Sequence, residues 1–148
     1  MPQDTNDKRP TSTATADNPA EPDDVARCER NLNELIVAHR AREAFERFHA
    51  DDVVMQENDD AGTRGKDANR RREDRFYANV RAMEASWLGG AVTGDVGYSE
   101  WHYVIDFKTG DRWDYHQIAA RRWQHGKVVH ERFYHADFPI RPAVTGPA

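Results

Sequence analysis

Between Val25 and His49 the apolar residues Leu32, Leu35, Ile36, Phe45 and Phe48 recur near three and four positions apart, the spacing of one helix face. No glycine or proline interrupts the run, and Pro22-Asp23-Asp24 makes a start. The polar stretch His39 to Arg42 divides it into a long and a short helix. Ala50-Asp51-Asp52 reads as a turn and Val53 to Glu57 as a short strand. Asn58 to Gly65 has the composition of a loop. From Lys66 to Ser86 the pattern is helical again, with Phe76, Val80 and Met83 as its stripe.

After Trp87 the texture changes. Gly89-Gly90, Gly94-Asp95, Thr109-Gly110-Asp111 and His125-Gly126 punctuate runs rich in aromatic and β-branched residues. These predict four antiparallel strands at about 87–94, 97–107, 111–124 and 127–137. Helices first and a meander afterwards predict an α+β domain with its helices on one face of the sheet. No internal repeat is visible.

Residues 1–24 hold Pro, Thr, Asp, Asn and charge and almost nothing large and apolar. Such a segment cannot offset its ordering entropy by burial, so a disordered tail is expected. It lacks the apolar stretch of a secretory signal. Residues 139–148 carry three prolines and no pattern and are expected to be a second tail, leaving 25–138 as the domain. The tails account for part of the low mean hydropathy, -0.96 over 148 residues.

Charge and cysteine content narrow the function classes. A net charge of -5 argues against a general nucleic-acid binder. The basic run Asn69 to Arg72 is followed at once by Glu73 and Asp74, which reads as a solvated, ion-paired helix face. No apolar run approaches the roughly 18 residues of a membrane span, so no membrane partner is expected. The single Cys28 fits a reducing compartment, and a cytoplasmic location is expected.

Three segments carry a family resemblance. Phe48-His49-Ala50-Asp51-Asp52-Val53-Val54-Met55 resembles the aromatic-x-Ala-acid-Asp-Val segment of the nuclear transport factor 2-like superfamily. Arg122-Trp123-Gln124-His125-Gly126-Lys127-Val128-Val129 resembles its Gly-Lys hairpin, and Glu131-Arg132-Phe133-Tyr134-His135 resembles the strand that ends the domain. The nearest branch is SnoaL-like and ketosteroid-isomerase-like, over roughly residues 29–138. The resemblance implies a cone-shaped, curved antiparallel sheet wrapped around the N-terminal helices, an α+β roll with an apolar pocket at one end. It also implies a homodimer joined through the outer sheet face. The fold hosts isomerases, cyclases, dehydratases, epoxide hydrolases and non-enzymes, so activity has to be argued from the site.

The resemblance places Glu57 where the isomerases keep their proton-shuttling carboxylate. The physics agrees: a carboxylate at a strand end beside an apolar cavity is desolvated, which raises its pKa. The other reading is an exposed glutamate in the acidic loop Glu57-Asn58-Asp59-Asp60. Two further positions depart from the pattern. The acid expected before the Gly-Lys turn falls on Ala119, and the helix tyrosine falls near Asn33. Strand periodicity places Trp113, Tyr115, Gln117 and Ala119 on one face, and Trp101, Tyr103 and Ile105 on the matching face of the strand before. If that face lines the pocket, Tyr103 and Tyr115 are donors to a carbonyl or phenol, or else ordinary core aromatics. Glu100, His102, Asp114 and His116 then face outwards.

The stretch HGKVVHERFYH, residues 125–135, holds three histidines and a glutamate. A zinc-protease motif needs two histidines one helical turn apart. Here the two after the turn lie on a strand, five residues apart and on opposite faces, so they cannot chelate one ion, and no metal is expected. Glu131, Phe133 and His135 share the face that the resemblance turns to the cavity. Glu131 and His135 stand ~13 Å apart at ~3.3 Å per residue. Glu131 is also readable as a buried carboxylate paired with an arginine or a tryptophan N–H.

The expected function is cofactor-free general acid–base chemistry on an apolar carbonyl or polycyclic compound. Glu57, His135 and Tyr103 are the catalytic candidates; Trp101, Tyr115, Gln117, Glu131, Phe133 and Asn33 are the ligand-binding ones. Two alternatives are non-catalytic binding of a hydrophobic small molecule and an interaction module using the outer sheet face. A pocket carboxyl with a raised pKa beside a donor favours the enzyme. A pocket whose polar groups all pair with one another favours the binder.

Overall fold

The computed structural model describes residues 22–136. Of the expected tails at 1–24 and 139–148, residues 1–21 and all of the second lie outside the described residues. Helix α1 spans Pro22–Val37 and α2 spans Ala41–Phe48. The break falls in the polar stretch, where His39 takes a φ of 60°. The helix begins at Pro22, three residues inside what the sequence suggests is tail. Strand β1 then runs His49–Glu57, β2 is Thr63–Arg64, and α3 is Lys66–Asn79. Strands β3 (Val80–Thr93), β4 (Val96–Phe107), β5 (Arg112–Gln124) and β6 (Lys127–Tyr134) complete the chain.

Three expectations are corrected. The helix predicted over 66–86 stops at Asn79, and β3 begins seven residues before Trp87. Phe76, Val80 and Met83 fit a helical stripe, but Met83, Ala85 and Trp87 also alternate with exposed neighbours. Backbone pairing decides for the strand: Met83 faces Ile105, and Trp87 faces Trp101. The expected turn at Ala50 to Asp52 is part of β1. The sheet has six strands, in the order β2-β1-β6-β5-β4-β3. It is mixed, because β1 runs parallel to β6 while all other neighbours are antiparallel.

The apolar face of α1 and α2 packs on the sheet through Val25, Leu32, Phe45, Phe48, Val53, Met55, Trp123 and Val128. Phe48 meets the edge of Trp123 at 5.8 Å between ring centroids. Burial of each large side chain in this set contributes about 1.5–3 kcal/mol. Between His49 and Val54 the β1–β6 register slips, from His49 opposite Val128 to Val54 opposite His130. Four residues of β1 thus stand against one of β6. This bulge leaves His49, Val53 and Met55 all buried. Among the described residues, no helix is long and apolar enough to cross a membrane.

Candidate functional site

A cavity of about 330 Å³ lies between the helices and the sheet. Helices α1 and α2 supply Leu32, Ile36 and Phe45, and β1 supplies His49, Met55 and Glu57. The sheet wall carries Tyr103, Trp113, Tyr115, Gln117, Arg121, Glu131 and Phe133. Alternation along β4, β5 and β6 puts these side chains on one face, as the sequence pattern suggests. Trp101, Tyr103 and Tyr115 form a stacked series with centroids 5.7 and 5.6 Å apart. Three candidates are absent from the cavity lining: Asn33, Trp101 and His135. Asn33 and Trp101 are both fully buried behind the lining. Ala119 points inwards and is also fully buried.

Behind the wall lies a charged network. The Arg121 guanidinium donates to Glu29 Oε1 at 2.6 Å and to Asn33 Oδ1 at 2.8 Å, and its Nε donates to Glu131. Glu29 also accepts from the Ser99 hydroxyl and the Trp123 indole N–H, each at 2.8 Å. His49 Nε2 lies 3.0 Å from the other oxygen of Glu131, and its Nδ1 is buried without a partner. Burial works against the Glu131 charge, but Arg121 and His49 outweigh it and hold the carboxyl down at about 2. Burial likewise opposes the Arg121 charge, and Glu131 and Glu29 overcome it, so the guanidinium pKa rises. Glu131 is thus a fixed anion, the arginine-paired option open from the sequence.

A second cluster sits at the partly exposed end of β1. Glu57 accepts from Arg72 at 2.7 Å and lies 2.7 Å from His135 Nε2. His135 Nδ1 faces the Ala136 carbonyl at 2.9 Å. Both ring nitrogens therefore face oxygen atoms. Asn58 fastens the end of β6, donating to the His135 carbonyl and accepting from its N–H, each at 3.0 Å. The opposite face of β6 points away: His130 meets Gln56, and Arg132 donates to the Asn58 carbonyl and lies over Tyr134. On the outer face His102 pairs with Asp114 at 2.7 Å and stacks on His116.

The groups that the sequence reading missed lie on α3 and in the network. Arg72 and Glu73 both line the cavity, although the basic run reads as solvated. Arg70 does behave that way, pairing with Glu46 and Asp67 on the surface. Glu73 is partly buried and makes no hydrogen bond or ion pair among the described residues. Burial pushes its carboxyl up to about 7; the nearby charges of Glu131 and Glu57 add to this, and Arg72 and His49 oppose it. Burial also raises the pKa of Tyr77, Tyr103 and Tyr115. All three phenols keep their hydroxyl protons at ordinary pH, so each is chemically a hydrogen-bond donor.

No family model and no curated protein matches the sequence. Solved structures match across most of the chain. A Mesorhizobium loti protein named as a SnoaL-like polyketide cyclase superposes with a TM-score of 0.66 at 26% identity, covering 74% of this chain and 97% of its own. An NTF2-like protein of unknown function from Burkholderia pseudomallei gives 0.67 at 12% identity, covering 76% and 91%. An epoxide hydrolase of the LEH-like type from M. tuberculosis gives 0.64 at 13% identity, covering 77% and 84%. The fold is NTF2-like: helices and a six-stranded, mostly antiparallel sheet.

Proposed function

We propose that this protein carries out cofactor-independent proton transfer on an apolar compound bearing a carbonyl, bound in the 330 Å³ cavity. The observation that carries the reading is a carboxyl in an aromatic-lined cavity, free of ion pairs among the described residues and accompanied by neutral phenols. The volume is at the lower end of the roughly 300–1,000 Å³ of small-molecule pockets. A carboxylate takes the proton from the carbon beside the carbonyl, and the bonding pair moves onto oxygen. The Tyr103 or Tyr115 hydroxyl donates to that oxygen as its charge develops. The proton then returns to the same or a conjugated carbon, so the product is an isomer of the substrate. Gln117 and Phe133 contact the ring system, and Glu57 with Arg72 and His135 sets the polarity of one end. Polyketide cyclase and epoxide hydrolase, the names borne by proteins of this fold, accord with a small-molecule site.

One observation favours simple binding. Glu57, Arg72, Arg121, Glu131 and His49 are all engaged with one another or with close partners. Glu73 separates the two readings. The test is exchange of the α-protons of 2-tetralone into D₂O, followed by proton NMR. The enzyme reading expects saturable acceleration at catalytic protein concentration. Exchange no faster than in buffer, with 2-tetralone demonstrably bound, would leave binding as the function.

A further inference from the structure

We propose that Glu73 is the catalytic residue that takes and returns the substrate proton, while Glu57 positions Arg72 and His135. The inference rests on the acid–base reading and assigns the working carboxyl within it.

Helix geometry puts Glu73 there. Asn69, Arg72, Glu73, Phe76 and Tyr77 fall at i, i+3, i+4, i+7 and i+8, one continuous helix face. That face is held in place at both ends of its first two turns. Asn69 is fully buried and donates to the Thr63 and Gly65 carbonyls at 2.9 Å each. Arg72 reaches across to Glu57. Phe76 and Tyr77 extend the same stripe along the cavity. Glu73 thus occupies a position at which an apolar side chain would stabilise the helix–sheet contact. A carboxyl retained there without a partner departs from the local pattern in the way functional sites do.

The charges around it leave it free. On the outer side, Arg42 is taken by Asp74, and Arg70 by Glu46 and Asp67. On the cavity side, Arg72 is taken by Glu57. Across the cavity, Glu131 on β6 is neutralised by Arg121, and His49 on β1 is turned to Glu131. Arg72 and His49 still favour the Glu73 charge, but both are paired with other carboxylates, and burial together with Glu131 and Glu57 outweighs them. Glu57 is built the opposite way. Its oxygens are engaged by Arg72 and by His135, each at 2.7 Å, so it is held by partners that Glu73 lacks.

The experiment measures 2-tetralone exchange between pH 5 and 9 for the wild type, Glu73→Gln, Glu73→Asp and Glu57→Gln. Circular dichroism confirms folding of each. The wild-type rate is expected to rise with a midpoint near 7. Glu73→Gln should lower the rate by about 10²–10⁴-fold and remove the midpoint. Glu73→Asp should keep a titrating profile at reduced rate. Glu57→Gln should lower the rate but keep the midpoint. A Glu73→Gln rate within about twofold of wild type, or loss of the midpoint in Glu57→Gln alone, overturns the assignment and leaves the acid–base reading standing. A wild type with no exchange overturns both.

Discussion

Replacing Arg121 with methionine isolates the energetic role of the buried network. Methionine keeps much of the aliphatic volume and removes the charge. The guanidinium is 2% exposed and joins Glu29, Glu131 and Asn33. Without it, two carboxylates remain buried with only neutral donors and His49. The magnitude follows from Glu131, whose carboxyl falls from an ordinary 4.5 to about 2 in the fold. Each pH decade of difference is worth about 1.4 kcal/mol, so the favourable environment of this carboxylate contributes about 3 kcal/mol. That agrees with the roughly 3–5 kcal/mol lost when one partner of a buried pair is removed. Urea unfolding followed by tryptophan fluorescence at pH 7 is the assay. With a slope of about 1–3 kcal/mol per molar, the midpoint should drop by about 1–3 M. The sign with pH is fixed. A depressed carboxyl pKa contributes fully above its unfolded value, about 4.5, and its contribution disappears as pH falls through about 2. The deficit of Arg121→Met should therefore shrink over that interval. A midpoint shift below about 0.3 M at pH 7, or a deficit that grows in acid, would refute the reasoning.

Glu73→Gln should raise the melting temperature at pH 8 and leave it unchanged below pH 4.5. A carboxyl raised to about 7 favours the folded state only while protonated, so wild-type stability is lost as pH rises through that value; differential scanning calorimetry across this range checks it. Gly97→Ala should destabilise by about 1–3 kcal/mol. An added Cβ would stand 2.5 Å from the Glu29 carboxyl, which Ser99, Arg121 and Trp123 hold in place; thermal unfolding reads the loss. A homodimer through the outer sheet face, which exposes Tyr98, Ile118 and Tyr134, should show twice the monomer mass by sedimentation equilibrium at micromolar concentration, and monomer alone would sink it.

Period-two alternation made the sheet wall legible, because each of β4, β5 and β6 is half-buried and reports its inner face directly. Carrying the β5 series past Ala119 reaches Arg121 and Trp123, both buried; an arginine on that face demands carboxylates. Glu131 answers that demand from directly opposite on β6, and Glu29 from α1, 92 residues away. The contact between Glu57 and His135 was not legible in the same way. It depends on the parallel pairing of β1 with β6, which sets Glu57 opposite Phe133, and no local pattern encodes a pairing between segments that far apart. Glu73 lay in reach of a helical count from Asn69 to Tyr77. The charged run around it matches a solvated face, and only the tertiary packing of α3 on β1 turns positions 72 and 73 inwards. The end of α3 was ambiguous for a third reason: Phe76, Val80 and Met83 fit the helical period while Met83, Ala85 and Trp87 fit the strand period, and pairing with β4 decides.

The central claim is that one cavity carboxyl, Glu73, is kept protonatable near neutral pH while Glu131 across the cavity is locked as an anion. Glutamate labelled with ¹³C at the side-chain carboxyl, titrated by NMR in wild type and Glu73→Gln, measures this directly. The account predicts one resonance with a midpoint near 7 that is missing from Glu73→Gln, and another, from Glu131, still ionised down to about pH 2. A wild-type spectrum in which every glutamate titrates together in the ordinary range around 4.5 would contradict it.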